Sequence, residues 1–182
     1  MKMRTLCLLA MLPFTIQAAF SAAPLTGGKM VIRGTIAASP CKIANGDENL
    51  SVNLKEISLR DLIRNGKSKL VPFTIHLIDC DPSTYSKVKI TFSGIESSKI
   101  SNRLEITPVD PGSDMSAVAI GLQLGDGTEV KLDQELLAST ISSSTTNLTF
   151  HAYVEGLKND LKQGNVGLGQ FTAVANYIIE YQ

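Results

Sequence analysis

Residues that could carry out catalysis or bind a metal are few and scattered in this 182-residue chain. The two histidines, His76 and His151, lie in segments that alternate apolar and polar residues, as strands do, and neither has further ligands at metal-binding spacing. The aspartates fall mainly in turns, where Asp bonds to the nearby backbone, and nothing else supports a calcium site. No Gly-x-Ser-x-Gly motif occurs. We therefore expect no enzyme activity, no metal and no cofactor.

The first 23 residues have the layout of a secretory signal peptide. A basic start precedes an apolar run over 6–16, and small residues follow over 18–23. The apolar run is too short to span a bilayer, and we expect cleavage near residues 21–23. The remaining chain is long enough for one domain with its own core and short for two.

The charge balance gives no sign of a nucleic-acid or membrane partner. The chain carries 17 basic and 17 acidic residues. The signal peptide would remove two basic residues, which leaves 15 against 17 and a net charge of −2. Nucleic-acid-binding proteins carry a basic patch, and membrane-surface segments carry clusters of Lys and Arg. We expect neither kind of partner.

The cysteine count predicts one disulfide. Cys7 lies in the signal peptide, so Cys41 and Cys80 are the only pair left in the exported chain. An exported protein can keep such a pair oxidised, and the crosslink would restrict the unfolded chain by about 4 kcal/mol. Two free thiols or a metal pair are the alternatives, but no Cys-x-x-Cys or His-Cys cluster accompanies these residues.

The C-terminal stretch Gly169 to Gln182 has the two-residue period of a strand with one buried face. Apolar side chains occupy every second position, at Phe171, Ala173, Ala175, Tyr177, Ile179 and Tyr181. The alternation continues to the penultimate residue, whereas chain ends usually fray unless they are tied down. We therefore expect this stretch to be a full member of a sheet. An ordinary core strand that happens to be last is the simpler interpretation.

The segment Lys29 to Ala38 alternates in the same way. One face carries Met30, Ile32, Gly34 and Ile36. A glycine in the middle of a strand costs about 0.5–1 kcal/mol relative to alanine, so Gly34 needs a reason such as the close approach of another backbone. An edge strand with a bulge is the alternative interpretation.

The chain between these ends predicts an all-β fold. Further strands are expected over 42–44, 50–54, 70–78, 87–92, 103–107, 117–124, 128–132 and 147–154. A loop with one helical turn is expected over 55–69, and polar loops over 139–146 and 155–167. Short strands at regular spacing without a long helix indicate a β-sandwich.

Both ends of the chain resemble those of type 1 pilus-like fimbrial subunits of the chaperone-usher family. Gly169, fourteenth from the end, the alternation after it and the penultimate Tyr181 resemble the family's C-terminal motif. The stretch from Gly28 to Cys41, alternating around Gly34, resembles its N-terminal extension. The resemblance implies an incomplete immunoglobulin-like β-sandwich that is completed by a donor strand from another subunit.

The resemblance also implies roles for the two motifs. Met30, Ile32, Gly34 and Ile36 would form the donor strand. Gly169, Phe171, Ala173, Ala175, Tyr177, Ile179 and Tyr181 would line the acceptor groove and be recognised by the chaperone and usher. The domains would be a signal peptide over 1–23, a donor-strand extension over 24–40 and a pilin domain over 41–182.

The implied partners are a periplasmic pilus chaperone, an outer-membrane usher and neighbouring fimbrial subunits. No nucleic acid and no small-molecule substrate is expected. The protein would be exported through the periplasm to a cell-surface fimbrium that contributes to adhesion. The sequence has the extension and no extra receptor-binding domain, which favours a shaft, adaptor or minor subunit, and its Ile, Leu and Lys content favours a minor one. A self-contained exported carbohydrate- or protein-binding sandwich, whose N-terminal strand completes its own fold, is the alternative.

Overall fold

The computed structural model describes residues 29–35 and 40–182, which fall in separate units of the chain. The predicted signal peptide and Ile36 lie outside the described residues. In the first unit, residues 29–35 have no regular secondary structure and are exposed to solvent. The second unit contains the strands and helices.

Residues 40–182 form antiparallel sheets. The strands are β1 (Lys42–Ile43), β2 (Val71–Ile78), β3 (Lys87–Gly94), β4 (Leu104–Glu105), β5 (Thr107–Pro108), β6 (Val118–Leu124), β7 (Glu135–Thr140), β8 (Thr146–Gly156), β9 (Phe171–Thr172) and β10 (Ala175–Tyr181). One sheet has the order β1-β2-β8-β6-β4, a second has the order β10-β3-β7, and β5 and β9 form a two-stranded ribbon. Short helices are a 3-10 turn (Asp47–Asn49), α1 (Leu59–Asn65) and α2 (Lys158–Gln163). The predicted all-β class is confirmed.

The core lies between the two larger sheets. Ile75 and Leu77 of β2 and Leu148 of β8 are fully buried, because alternate residues of each strand face inward. The two sheets meet where the rings of Phe92 in β3 and Phe150 in β8 make an edge-to-face contact with centroids 5.1 Å apart. This contact fixes β3, and with it the small sheet, against the large one.

The disulfide between Cys41 and Cys80 joins the ends of two paired strands. Cys41 directly precedes β1 and Cys80 follows β2, and the two strands pair with Lys42 opposite Ile78. Because β1 contributes only two residues to the ladder, the covalent link supplies an anchor that so short a strand could not provide with hydrogen bonds alone.

The outer face of the large sheet carries a closed cluster of charges around Tyr153. The Arg103 guanidinium bonds to Glu155 at 2.7 Å and to Glu129 at 3.2 Å, and its side chain is only 8% exposed. Lys67 also pairs with Glu129, at 3.2 Å, and lowers the pKa of that carboxyl below its usual range, with Arg103 adding to the effect. The cluster ties the loops that carry Lys67, Arg103 and Glu129 to the sheet.

Several predicted elements are wrong in detail. Residues 50–54 form no strand: Val52 and Leu54 lie half-buried on the core, Leu50 is exposed, and the segment pairs with no other strand in the described part of the chain. The predicted strand over 128–132 is reduced to one bridge, at Glu129, beside the Gly-rich turn. Strand β7 was not predicted. Helix α2 was predicted as loop, because only Leu161 anchors it and one buried side chain gives no helical period.

We expect Arg103→Met to lower the free energy of unfolding by about 2 kcal/mol, since it leaves the partly buried Glu155 with only the more distant Lys67, at 3.7 Å. Chemical denaturation would measure the change. Lys42→Met is the matched control, because Lys42 and Asp79 are both well exposed and such pairs contribute about 0–1 kcal/mol. Equal effects of the two substitutions would contradict the structural role assigned to the cluster.

Candidate functional site: the open edge of the last strand

Strand β10 is an edge strand. It pairs with β3 along its whole length, with Tyr177 opposite Phe92 and Ile179 opposite Ile90. Over 29–35 and 40–182 no other strand pairs with it. An edge of this kind presents backbone donors and acceptors to any strand that approaches, so β10 can accept a partner on its second side.

The pairing of β10 with β3 continues to Gln182. The Gln182 amide donates to the Lys87 carbonyl at 3.0 Å, and the Lys87 amide donates to the Gln182 carbonyl at 2.8 Å. The Ser86 amide also donates to the Gln182 carbonyl, at 2.9 Å. The prediction of sheet membership is therefore confirmed from Ala175 to Gln182.

The inward face of β10 is only half covered. Tyr177, Ile179 and Tyr181 pack against the core but remain partly exposed, whereas Val88 and Ile90 of the adjacent β3 are completely buried. If β10 had a neighbouring strand on each side, as β3 has, its inward side chains would be buried as fully as those of β3. The structure thus places these three predicted groove residues together along an incompletely covered apolar face.

The predicted single strand over 169–182 is interrupted. Phe171 belongs to β9 and pairs with Pro108 of β5, so the chain leaves this ribbon and joins β3 only at Ala175. Ala173 and Ala175 are exposed, contrary to the expectation that they share the apolar face. The carbonyl oxygen of Val174 would lie 2.7 Å from a Cβ at Gly94, so the chain crosses closely over β3 there.

Gly169 begins this region in a conformation that favours glycine. Its φ is +139°, and a Cβ there would lie 2.8 Å from Oδ2 of Asp110. The next residue, Gln170, accepts a hydrogen bond from the Val109 amide at 2.9 Å. Gly169 therefore sets the entry of the chain into β9 and lies away from the half-covered face of β10.

The open edge of β10 faces the edge of the large sheet at β1; we call these two sheet edges the walls of the candidate site. Strand β1 is itself the edge of the five-stranded sheet, and the chain after it turns through the 3-10 helix. The Tyr177 hydroxyl of β10 donates to the backbone carbonyl of Asp47 in that turn at 2.7 Å. The edges of the two sheets therefore lie on the same side of the core, with half-buried Ile43, Val52 and Leu54 near the start of the second wall.

Asp47 is held in place by β2. One carboxylate oxygen accepts from the backbone amide of His76 at 2.6 Å and contacts His76 Nδ1 at 2.8 Å. The backbone hydrogen bond from His76 holds the pKa of Asp47 below its usual range. Burial raises the pKa of Tyr177, and the nearby charges of Asp47 and Glu48 add to the effect, so the phenol remains a hydrogen-bond donor at neutral pH.

Sequence patterns missed this polar link. Asp47 begins the short 3-10 helix after β1, and His76 lies on the exposed face of β2. Their contact joins residues 29 positions apart in sequence, and no local pattern encodes it. Tyr177 was identified only as an apolar groove residue.

The described residues 29–35 carry the predicted donor side chains that can be located. Met30 and Ile32 are 80% and 81% exposed, which is unusual for large apolar side chains. A Cβ at Gly34 would meet nothing within 4 Å. The fourth predicted donor residue, Ile36, lies outside the described residues.

Other functional groups do not assemble into a site in the described part of the chain. Within residues 29–35 and 40–182 no three His, Cys, Asp or Glu side chains are arranged to hold a metal ion. His151 lies half-buried on β8, and its Nδ1 has no hydrogen-bond partner among the described residues. No helix in these ranges is long and apolar enough to cross a membrane.

The β-sandwich has the immunoglobulin-like fold of pilin subunits. The chain belongs to the Fimbrial protein family, whose model matches residues 30–182. It is a structural subunit of fimbriae.

Minor and major fimbrial subunits are both similar to this chain over nearly their whole length. A chain of Proteus mirabilis strain HI4320, provisionally named a minor fimbrial subunit, PmfF, is 32% identical over 178 residues, which cover 97% of this chain and 94% of that one. The Major MR/P fimbria protein of the same strain is 30% identical over 183 residues, with 100% of both chains covered. The crystal structure of the P pilus rod subunit PapA superposes with a TM-score of 0.64 at 27% identity and covers 79% of this chain and 100% of that chain.

The pKa of Asp47 leads to a pH prediction. Because its pKa is lower in the folded state, Asp47 contributes stability that is present above its unfolded value of about 3.9 and is lost as the pH falls through the folded value. Acidification from pH 6 to pH 2.5 should therefore destabilise the wild type more than Asp47→Asn. Denaturant titrations at several pH values would measure this difference.

The control for this experiment is His76→Ala. It removes the imidazole but keeps the backbone amide, which is the main cause of the lowered pKa of Asp47. We expect His76→Ala to retain most of the wild-type acid sensitivity. Parallel stability curves for the wild type and Asp47→Asn would contradict the assignment.

Proposed function

We propose that this chain polymerises by donor-strand exchange. Residues 29–38 of one subunit act as the donor strand and lie along β10 of another, which supplies the acceptor groove. The observation that carries the proposal is the half-covered face of Tyr177, Ile179 and Tyr181 on an edge strand, in a chain whose Met30 and Ile32 are exposed. The exposed apolar side chains of the extension and the half-covered apolar face of β10 are chemically complementary.

The energetics support this proposal. Burying Met30, Ile32 and Ile36 would contribute about 1.5–3 kcal/mol for each side chain. A strand added to β10 also gains a ladder of backbone hydrogen bonds, which is a known mode of recognition between pilins and their chaperones. Gly34 would lie where the donor backbone comes closest to the groove, because a glycine has no side chain that would keep the two backbones apart.

Export and assembly complete the proposed role. We propose that residues 1–23 are removed as a signal peptide, that residues 24–40 form the extension and that residues 41–182 form the pilin domain. A periplasmic chaperone would cover the edge of β10 until an outer-membrane usher exchanges it for the next subunit. The product is a cell-surface fimbrium, in which the chain is a minor, adaptor or shaft subunit with a noncovalent and noncatalytic role.

A peptide-binding experiment tests the proposal. The chain lacking residues 24–38 is mixed with a synthetic peptide spanning Gly28 to Ser39, and its melting temperature is recorded with and without the peptide. We expect a one-to-one complex and a rise of at least about 10 °C, given the apolar area that the peptide would bury. A truncated chain that is already stable and ignores the peptide would indicate a self-contained sandwich and contradict the proposal.

Gly34→Leu should block assembly without harming the subunit. A side chain at this position meets nothing within 4 Å in the subunit itself, so the melting temperature of the isolated chain should not change. Its oligomers, measured by size-exclusion chromatography, should be reduced at least about tenfold, because the larger residue would clash with the acceptor groove. Arg33→Leu, on the opposite face of the extension, is the control, and normal assembly by Gly34→Leu would contradict the proposed donor register.

A further inference from the structure

One hydrogen bond joins the two edges between which a donor strand would enter. Tyr177 lies on β10, the edge of the three-stranded sheet, and Asp47 lies in the turn that follows β1, the edge of the five-stranded sheet. The Tyr177 hydroxyl donates to the Asp47 carbonyl at 2.7 Å. The bond therefore links a side chain on the edge strand of the small sheet to the backbone of the turn beside the edge strand of the large sheet.

Both ends of this bond are fixed by the surrounding structure. The Asp47 carboxylate is held by two nitrogens of His76, and the Asp47 amide donates to the Ala44 carbonyl at 3.0 Å. The Tyr177 ring lies against Phe92 with centroids 6.2 Å apart. Since each partner is positioned by its own sheet, the bond resists separation of the two sheet edges.

A strand inserted between two sheet edges needs room. Neighbouring strands lie about 4.8 Å apart, so edges that accept one strand between them stand about 9.6 Å from each other. A side chain of one edge that is bonded to the backbone beside the other occupies part of this space. The incoming strand must therefore displace the Tyr177 hydroxyl from the Asp47 carbonyl or widen the gap that the bond spans.

We propose that the bond between Tyr177 and Asp47 is a latch that slows entry of a donor strand into the groove. This inference rests on the proposed donor-strand exchange and adds a regulatory step to it. The latch keeps the open edge narrow while no donor is present, which limits pairing with unrelated strands, a known hazard of exposed sheet edges. The donor strand opens the latch by replacing its single hydrogen bond with a full ladder.

Removing the hydroxyl tests the latch. The intact exported chain is mixed with an excess of a fluorescent peptide spanning Gly28 to Ser39, so that the peptide rather than a second subunit fills the groove, and the association rate is followed by anisotropy. Tyr177→Phe keeps the ring and deletes the donor. We expect association about three- to tenfold faster than in the wild type, in line with the usual net strength of one hydrogen bond.

The control and the second variant separate the latch from a general loss of stability. Tyr85→Phe removes a hydroxyl from the ring beside Tyr181 and should leave the association rate unchanged. Asp47→Ala removes the carboxylate anchor and should also speed association, while the double variant with Tyr177→Phe should be little faster than either single variant. A purely structural role would lower the melting temperature of the free chain without raising the rate.

The outcomes distinguish this inference from the function on which it rests. If the peptide binds the wild type, but neither Tyr177→Phe nor Asp47→Ala accelerates binding, the latch is wrong and donor-strand exchange stands. If the peptide fails to bind the wild-type chain and both variants, both proposals are overturned. Faster binding to Tyr177→Phe and Asp47→Ala, with Tyr85→Phe unchanged, supports both.

Discussion

The open edge of β10 is the constraint on which the structure of this subunit depends. Over residues 29–35 and 40–182, β10 has β3 as its only strand partner, and its inward side chains Tyr177 and Ile179 are half covered. A strand in this state loses part of the hydrophobic free energy that a closed sandwich would gain, and it exposes backbone groups that attract other strands. Under the proposed donor-strand exchange, covering this edge would supply part of the free energy of assembly.

The remaining structure keeps that edge open and ordered. The contact between Phe92 and Phe150 packs the small sheet on the large one from the side of β3. On the other wall, the disulfide anchors the very short β1 to β2. The hydrogen bond from Tyr177 to Asp47 then connects the two walls at one point.

The sequence predicted those parts of the fold whose signal is local. Period-two alternation identified β2, β8 and β10, in each of which one face is more buried than the other. It failed at Ala173 and Val174, where the chain passes from the ribbon with β5 to the sheet with β3, since a change of partner leaves the side-chain pattern intact. The position of the candidate site could be predicted from the alternation and the resemblance of the chain ends. The link from Tyr177 through Asp47 to His76 could not, because it joins three segments that are distant in sequence.

The central claim is that the extension of one subunit pairs with β10 of another, and a crosslinking experiment tests this most directly. Normal and heavy-isotope preparations of the exported chain, both carrying a photoreactive amino acid in place of Ile32, are mixed, assembled and irradiated. Mass spectrometry then identifies the residues that are crosslinked to position 32. Donor-strand exchange predicts crosslinks to β10, and about half of them should join a normal to a heavy chain. Crosslinks to β10 within single chains only would mean that the extension completes its own sandwich and would contradict the account.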